Sequence, residues 1–406
     1  MEVKMERKIL HVDVNNAFLS WTAVTMLKQG ESLDIRTIPA IIGGDEEKRK
    51  GIVLAKSMPA KRMGIKTAEP IYFAKQKCPN LQIYPSNFNI YRKYSEELYQ
   101  FFLTYTNRVE RFSIDECFLD ITNFIPTGKT ELEIAYEINQ KAKEKFGFTV
   151  NVGVAPNKLL AKMASDFEKP DKVHTLYLSE IATKMWPLPV SELFMVGKRS
   201  VPKLEKLGIK TIGDLAKTKQ EILVQNFGKF GKMIWEYANG IDDTLVMYKE
   251  EAPKCIGNSA TFPEDLTNLE KIEEILLALT EQTTYRLRKH QLLAATVGVQ
   301  IKTKEFKQYS HQGTMQTSTN STKIIFQEAK RLLEEVYHGE PIRLIGVRVD
   351  NLSGESKRQI SLFDTPNNEK QEKLDKTLDS LKEKYGYQKI TRAGQMRVDK
   401  LMDFKE

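Results

Sequence analysis

The sequence predicts an α/β protein of several domains, and three observations lead to this prediction. Short apolar strands alternate with amphipathic helices between residues 8 and 170, and an insertion at about 31–88 interrupts that layer. Short helices and glycine-bearing turns replace this pattern beyond Pro187. Residues 254–352 then follow a β-α-β-β-α-β order after a polar connector. A chain of 406 residues is long enough for two to four such domains.

Composition and charge narrow the class of protein. Hydrophobic residues make up 41% of the chain, as in ordinary globular proteins, and the net charge of +8 suits a polyanionic partner. Cys78, Cys117 and Cys255 lie far apart, so neither a disulfide framework nor a zinc site is predicted. The charged start of the chain lacks an apolar signal core, and no apolar run approaches about 18 residues. We therefore expect a cytoplasmic protein with no membrane partner.

Three carboxylates form the most informative pattern. Asp13 ends a predicted buried strand, and Asp115 and Glu116 fall at the turn of a predicted hairpin, whose Phe112 and Phe118 are expected to face a core. Carboxylates without an interleaved His or Cys suit a hard cation such as Mg²⁺. Two such ions about 3.5–4 Å apart would clamp the attacking and leaving oxygens of a phosphoryl transfer. Asp-Glu is also an ordinary turn dipeptide, so the hairpin alone leaves a purely structural role open.

Residues close to these carboxylates suggest a nucleotide site. Phe18 lies just after Asp13, on a predicted helix at Ala17–Leu27, which places it at the mouth of any site built there. A core aromatic residue would explain the same pattern. The short helix that Ser57 is predicted to cap carries Lys61, whose charge would suit a triphosphate, although surface lysines are usually only solvated.

Two later features suggest nucleic-acid binding. Leu207–Ala216 looks like the second half of a helix-hairpin-helix unit, which presents backbone N–H groups to a DNA phosphate. Its first half is irregular, because Met195-Val196-Gly197 stands in place of the usual Gly-X-Gly. A basic cluster around the first helix end and the middle strands of the last domain would suit a phosphate backbone or a solvated face. The cluster consists of Arg286, Arg288, Lys289, Lys302, Lys304 and Lys307.

Taken together, these motifs resemble the Y-family translesion DNA polymerases over about residues 8–365. Asp13, Phe112–Thr122, Pro59-Ala60-Lys61 and Ala161–Pro170 carry the resemblance. It implies a right-hand polymerase with a palm of mixed sheet plus helices, small fingers, a helical thumb with a helix-hairpin-helix unit, and a β-α-β-β-α-β little finger. The implied boundaries are palm at 1–30 and 89–175, fingers at 31–88, thumb at 176–243, linker at 244–253, little finger at 254–352 and a tail at 353–406.

The resemblance implies template-directed addition of deoxynucleotides to a primer 3′-hydroxyl, with low fidelity, in DNA repair and damage tolerance. It implies two Mg²⁺ ions, held by Asp13, Asp115, Glu116 and the Val14 carbonyl. Phe18 matches the steric gate, which leaves no room for a ribose 2′-hydroxyl. The implied nucleotide-binding residues are Asn16, Ala17, Phe18, Met58, Lys61 and Lys169. The implied DNA-binding residues are Gly197, Lys198, Gly208, Arg286, Lys302, Lys304 and Lys307.

Three residues of the implied nucleotide site depart from the family's pattern. Met58 replaces the usual tyrosine and so removes a hydrogen-bond donor. Lys61 replaces the usual arginine, so a compact ammonium group takes the place of a planar guanidinium group. Ala17 is smaller than the family's usual aromatic residue. We expect weaker nucleotide binding or an altered fingers geometry rather than loss of activity.

The predicted tail holds one further motif. Gln359, Ile360, Ser361, Leu362 and Phe363 resemble the pentapeptide that binds the bacterial sliding clamp, which implies a bacterial source, or a phage or mobile element within one. The implied partners are primer-template DNA, deoxynucleoside triphosphates and the clamp, and we expect a monomer. No role is predicted for the charged helix that should follow the motif.

Three other functions compete with the polymerase. A catalytically inactive scaffold that binds DNA and the clamp would keep the fold, but the intact Asp13, Asp115 and Glu116 argue against it. A two-metal nuclease gives no reason for Phe18 or Lys169. A structural or protein-interaction module leaves the carboxylates unexplained.

Overall fold

The structure is a computed structural model that describes residues 6–44, 51–249, 252–354, 366–386 and 389–390. The chain forms two compact units, divided between residues 250 and 251. This division lies within the segment predicted to be a linker. In the residues described, no helix is both long and apolar enough to span a membrane.

The first unit alternates strands and helices through most of its length, as its sequence pattern predicted. Its strands are β1 (Ile9–Val14), β2 (Ala40–Gly43), β3 (Val53–Lys56), β4 (Gln82–Pro85), β5 (Val109–Arg111), β6 (Glu116–Asp120), β7 (Val150–Ala155) and β8 (Val173–Thr175). Its α-helices are α1 (Ala17–Lys28), α2 (Met58–Arg62), α3 (Ile71–Lys77), α4 (Phe88–Phe102), α5 (Glu131–Phe146), α6 (Lys158–Asp166), α7 (Val201–Lys206), α8 (Ile212–Lys217), α9 (Gln220–Phe227) and α10 (Lys229–Ala238).

The main sheet of this unit has the strand order β5-β6-β1-β7-β8, with β1 at its centre. On one face Leu10, Val12 and Val14 join a core built with α1, α4 and α5. Ile9 lies on the other face, in a second core built with α6. Burial of both faces explains why β1 is apolar almost throughout, and it makes a polar residue such as Asp13 exceptional there.

A smaller sheet, β3-β2-β4, lies in the insertion between α1 and α4. β2 runs antiparallel to β3 and parallel to β4. Ser57 caps α2, as its position predicted, because its hydroxyl accepts a hydrogen bond from the Ala60 N–H at 3.1 Å. The cap fixes where α2 begins and therefore where its first residue, Met58, lies.

α7 and α8 form the predicted helical hairpin. The turn between them contains Gly208 at φ +80°, a left-handed conformation that glycine adopts without strain. Thr211 then caps α8 by accepting a hydrogen bond from the Asp214 N–H, and the Asp214 carboxylate accepts one from the Thr211 N–H in return. These helices pack with α6 in the same core.

The second unit confirms the predicted β-α-β-β-α-β order. Its elements are β9 (Cys255–Leu266), α11 (Leu269–Lys289), β10 (Leu292–Thr303), β11 (Gln308–Thr319), α12 (Thr322–Val336), β12 (Ile342–Gly354) and α13 (Pro366–Tyr385). The sheet order is β11-β10-β12-β9, with antiparallel neighbours. α11 and α12 cover one face, where Val297, Val299 and Ile301 of β10 enter their core.

α13, the helix for which the sequence suggested no role, packs against α11 and the start of α12. The Arg288 guanidinium binds the Asp379 carboxylate at 2.6 and 2.9 Å. Asp375, which is 1% exposed, accepts a hydrogen bond from the Thr322 N–H at 3.0 Å. Lys382 pairs with Glu281 at 3.0 Å. Since these charges are buried and paired, α13 is a fixed part of the second unit.

One predicted core residue is wrong. Phe112 is 43% exposed, whereas Phe118 is 2% exposed, as expected. β5 ends at Arg111, so Phe112 already belongs to the turn, and its ring packs at the surface against Phe118 and Phe194. Strand alternation therefore cannot be extended across this turn.

Candidate active site

A cavity of about 250 Å³ opens where β1 ends. Its walls come from the β1–α1 junction, from β3 and α2, from the turn before β6 and from the turn after α6. The predicted site residues that line it are Asp13, Val14, Asn16, Ala17, Phe18, Met58, Lys61, Asp115 and Lys169. Of the predicted metal and nucleotide residues, Glu116 alone does not line the cavity.

Glu116 lies next to the cavity, in a row of polar residues across the sheet. Cross-strand pairing places Glu116 opposite Asp13 on one side, and Asn151 opposite Asp13 on the other. Directly paired residues share a face of a sheet, so all three side chains point toward α6. His11 shares this face as well, because it lies two residues before Asp13 on β1.

Lysines hold the carboxylates of this row. Lys162 on α6 lies 3.0 Å from Glu116 and 3.6 Å from Asp13. Lys169, in the turn after α6, lies 2.5 Å from Asp13. His11, which is fully buried, approaches the other oxygen of Glu116 at 3.5 Å. The negative charges are thus neutralised by cationic side chains from the neighbouring helix and turn.

Asp115 extends the acidic group at the turn before β6. Its backbone carbonyl accepts a hydrogen bond from the Val14 N–H at 3.1 Å, which ties the turn to the end of β1. Its carboxylate accepts a hydrogen bond from the Ser113 hydroxyl at 2.6 Å. The two contacts bring Asp115 to the same cavity as Asp13.

The pKa shifts reflect this crowding of charge. Burial would raise the pKa of Glu116, but the neighbouring His11 imidazole and the charge of Lys162 outweigh it and lower that pKa to about 2. Burial, with the charges of Asp13 and Glu116, raises the pKa of Asp115. Burial would lower the pKa of Lys169, yet Asp13 and Asp166 raise it. Burial therefore makes the ionised form of Asp115 less favourable than that of a solvent-exposed aspartate.

The donor groups fit a divalent cation in kind. Asp13, Asp115, Glu116 and the Val14 carbonyl supply only oxygen, which hard cations prefer. Within the described ranges, no three carboxylate, imidazole or thiol groups already lie close enough together to hold one ion. Lys162 and Lys169 instead supply the positive charge, so the predicted metal cage stays a prediction.

The Phe18 ring forms one wall of the cavity and is held from behind. It stacks on Tyr91 with centroids 4.5 Å apart and planes 15° apart, and it meets Phe88 edge-on at 5.8 Å. Asn16, just before α1, adopts φ 49°, which is uncommon for a residue other than glycine. The chain thus turns sharply between Asp13 and Phe18, so that both face one space.

The opposite wall carries two lysines, of which only Lys61 was predicted. Lys56 ends β3, and its ammonium group donates a hydrogen bond to Thr67 at 2.8 Å. Burial and the charge of Lys61 lower the pKa of Lys56. Met58 lies between the two lysines in sequence and also lines the cavity. This wall is therefore basic, which suits an anionic ligand.

Sequence reasoning missed several residues of the site. His11 carried a usable signal, since it lies two residues before Asp13 on a predicted strand and must share its face. Lys162 and Asp166 are four residues apart on a helix and form an ion pair at 3.3 Å, a spacing that is also visible in the sequence. Asn151 gives no local signal, because its place opposite Asp13 depends on the strand register.

The predicted DNA-binding residues fall in three places. Gly197 and Lys198 precede α7 and Gly208 follows it, all exposed. Lys304 and Lys307 lie in the turn between β10 and β11.

Lys302 alternates with the core residue Ile301, so it lies on the face of the sheet that α11 does not cover, together with Arg348, which was not predicted. Arg286 is not grouped with Lys302. It lies on α11 and donates to Gly257 and Asn258 of β9, on the helical side of the sheet. The predicted basic cluster is therefore split between two faces.

The predicted clamp-binding residues, 359–363, lie outside the described residues.

Comparisons with family models match most of the chain. Residues 12–166 match the model described as the impB/mucB/samB family, and residues 253–362 match the C-terminal domain of that family. Residues 192–242 match a thumb domain described for DNA polymerase-iota. The three matches cover most of the main sheet, the helices α7–α10, and the β-α-β-β-α-β part of the second unit.

Similar proteins extend these matches. A protein named DNA polymerase IV from Clostridium acetobutylicum is 49% identical over 96% of this chain and 98% of its own length. Another of that name, from Acetivibrio thermocellus, is 39% identical over 96% and 97%. A solved chimeric Y-family DNA polymerase has the same fold, with a TM-score of 0.72 and 23% identity over 86% of this chain and 99% of its own. Since the likeness to the curated proteins spans nearly the whole chain, this DNA-directed DNA polymerase belongs to the Y family of translesion polymerases.

Proposed function

We propose that this polymerase extends primers across damaged as well as intact templates, with low fidelity, by phosphoryl transfer at the cavity beside β1. The observation that carries the proposal is the composition of the cavity walls. Carboxylates from β1 and the β6 turn face one side, an aromatic ring forms another, and lysines face the third. A deoxynucleoside triphosphate needs a cation site for its phosphates, a surface for its sugar and positive charge around its tail.

Asp13, Asp115, Glu116 and the Val14 carbonyl would hold two Mg²⁺ ions, which when bound stabilise the negative charge that develops on the phosphoryl oxygens. His11 and Lys162 lower the pKa of Glu116, which preserves its carboxylate as a ligand. A bound cation would offset the effect of burial on Asp115, whose pKa burial raises, and would favour its ionised form.

Lys56, Lys61 and Lys169 would bind the triphosphate. All three line the cavity, two on the α2 side and one on the Asp13 side. Lys169 now pairs with Asp13, and its long side chain allows the ammonium group to move to a phosphate oxygen without a change in the backbone. This would release Asp13 for the cation site.

Phe18 would select deoxynucleotides. Stacking on Tyr91 prevents the ring from retreating, so a ribose 2′-hydroxyl placed against it would clash. Asn16 and Ala17 would contact the nucleotide beside the gate, and Met58 would contact it from α2. Among the described residues that line the cavity, Phe18 is the only aromatic one, and such a loosely walled site supports tolerance of damaged bases and low fidelity.

Primer-template DNA would bind both units. In the first unit, the proposed DNA-binding region is formed by the turns around α7, with Gly197, Lys198 and Gly208. In the second unit it is the sheet face that carries Lys302, together with Lys304 and Lys307 in the adjoining turn. The same proposal includes the domain boundaries inferred from the resemblance. It also includes a cytoplasmic monomer that binds a sliding clamp through residues 359–363.

Primer extension with Mg²⁺ tests the proposal, on an undamaged template and on one with an abasic site. The parent protein should extend both primers, and an Asp115→Ala, Glu116→Ala double variant should extend neither. Glu96→Ala, Glu97→Ala is the matched control, because it removes two adjacent acids from α4 of the same unit and should leave extension intact.

Three outcomes would contradict the proposal. Extension by the double variant would remove these carboxylates from the chemistry. If the parent binds primer-template but extends nothing, the inactive-scaffold alternative applies. If it extends only undamaged template, the damage-tolerance part fails.

A further inference from the structure

We propose that Asn151 is a positioning residue for nucleotide binding, which fixes the turn that presents Lys169 to the cavity. Asn151 lies on β7, is fully buried and does not line the cavity. The inference rests on the proposed function, since it takes Lys169 to be a triphosphate-binding group. Its basis is a set of hydrogen bonds around the segment Glu168–Lys172.

The Asn151 amide uses its full hydrogen-bonding capacity. Its Nδ2 donates to the carbonyl of Glu168 at 2.6 Å and to that of Ser165 at 3.0 Å. Its Oδ1 accepts from Asn15 Nδ2 at 3.0 Å and from the Lys172 N–H at 3.3 Å. Two of these bonds hold backbone groups on either side of Lys169. A fully buried amide with four partners is costly to replace, because each partner would lose its bond.

Asn15 holds the same segment at a third point. Its Oδ1 accepts hydrogen bonds from the Asp171 N–H and from the Thr149 hydroxyl, both at 2.9 Å. Asp171 adopts φ 61°, a conformation that residues other than glycine seldom keep without such support. The Asn15–Asn151 pair therefore holds the backbone at Glu168, Asp171 and Lys172.

This network ties Lys169 to the strand that carries Asp13. Asn151 pairs with Asp13 across the sheet, and Asn15 lies two residues beyond Asp13. The position of the Lys169 backbone is thus set by the same two strands that place the carboxylate. Its side chain makes its polar contacts only with Asp13 and Asp166 among the described residues, so the ammonium group can exchange them for a phosphate. Asn151 acts on nucleotide binding only through Lys169.

A double-mutant cycle on nucleotide KM tests this inference. The variants are Asn151→Ala, Lys169→Ala and the two combined, with primer extension measured against the correct deoxynucleotide. Asn151→Ala should raise KM roughly tenfold while kcat falls by less than about threefold, because a misplaced lysine weakens binding before it weakens chemistry. In the Lys169→Ala background it should change KM by less than about twofold, since nothing remains to be positioned.

Asn157→Ala is the control, since it removes a buried asparagine that caps α6 and should lower stability without changing KM. If Asn151→Ala does not fold, the same cycle with Asn151→Ser decides, since serine keeps a polar group at this position but is too short to make all four bonds.

Equal effects of Asn151→Ala in both backgrounds would show a general structural role and overturn the inference. A raised KM for Lys169→Ala with none for Asn151→Ala would do the same. An unchanged KM for Lys169→Ala would instead refute the triphosphate role of Lys169 and, with it, this inference.

Discussion

Phe18 shows how a single side chain gains a function from its neighbours. The same helical spacing would suit a core aromatic, and half of the ring does pack, on Tyr91 and Phe88. The other half faces the cavity. Because the ring is fixed on one side and faces the cavity on the other, it limits the size of the group that can bind against it.

Replacing Phe18 with alanine should admit ribonucleotides. Removing the ring opens space where a 2′-hydroxyl would lie, and we expect the preference for deoxynucleotides over ribonucleotides to fall by about 10- to 200-fold. Competing incorporation of the two nucleotides in primer extension measures this ratio. Phe18→Tyr keeps the ring and should retain the preference. If the alanine variant still excludes ribonucleotides, Phe18 is not the steric gate.

Met58 allows a test of the departure from the family's pattern. Met58→Tyr should lower the nucleotide KM by about three- to tenfold, because a hydroxyl on the cavity wall can donate a hydrogen bond to a charged phosphate. Met63→Tyr is the matched control, since Met63 follows the same helix, is 51% exposed and lies outside the cavity lining. An equal KM for both variants would mean that Met58 does not face the nucleotide.

The sequence predicted individual site residues where these are close together in the chain or belong to a motif. Asp13, Asp115 and Phe18 were predicted and do meet at one cavity. Asn151 and Lys162 escaped prediction because their partners lie across the sheet or on a packed helix, and burial of a polar side chain becomes visible only once the register is known.

Among the elements, β7 and α6 pack very closely beside the site. A Cβ added to Gly153 of β7 would lie 1.9 Å from the Ala161 carbonyl oxygen and 2.6 Å from the Ser165 nitrogen, both in the α6 backbone. The helix that carries Lys162 thus approaches the strand that carries Asn151 more closely than any larger residue would allow.

Gly153→Ala should therefore destabilise the first unit. We expect a loss of about 1–3 kcal/mol, or a fall in Tm of very roughly 2–10 °C, because backbone atoms of α6 would have to move. Gly298→Ala in β10 is the matched control, as its nearest neighbouring atom would lie at an ordinary 3.7 Å. Thermal unfolding followed by circular dichroism compares the two. Equal Tm values would show that α6 can move away from residue 153 without a loss of stability.

Element order was predictable in both units because periodicity and turn residues act locally. The β-α-β-β-α-β plan of the second unit is confirmed. It was harder to predict on which face of a sheet each side chain lies. Arg286 and Lys302 looked like one basic cluster in the sequence, but the sheet separates them, and Phe112 lay one residue past the end of its strand. Both errors concern the face to which a side chain points, which local sequence does not determine.

For the whole molecule, the basic excess can be tested through salt. Lys302→Ala, Lys304→Ala should weaken primer-template binding and reduce the slope of log K against log salt by about 1–2, because fewer counterions are released. Lys271→Ala, Lys323→Ala removes the same charge from exposed positions of α11 and α12. Fluorescence anisotropy over a salt series measures both. Equal slopes would assign the loss to net charge rather than to the Lys302 face.

α13 contributes charged side chains to its contacts with α11 and α12. Asp375 and Asp379 neutralise the Arg288 guanidinium, which is itself buried. A buried charge is costly when its partner is removed, because the remaining charge stays away from water without compensation. Removal of α13 would therefore leave Arg288 without these two carboxylates, and the second unit would lose stability together with the helix.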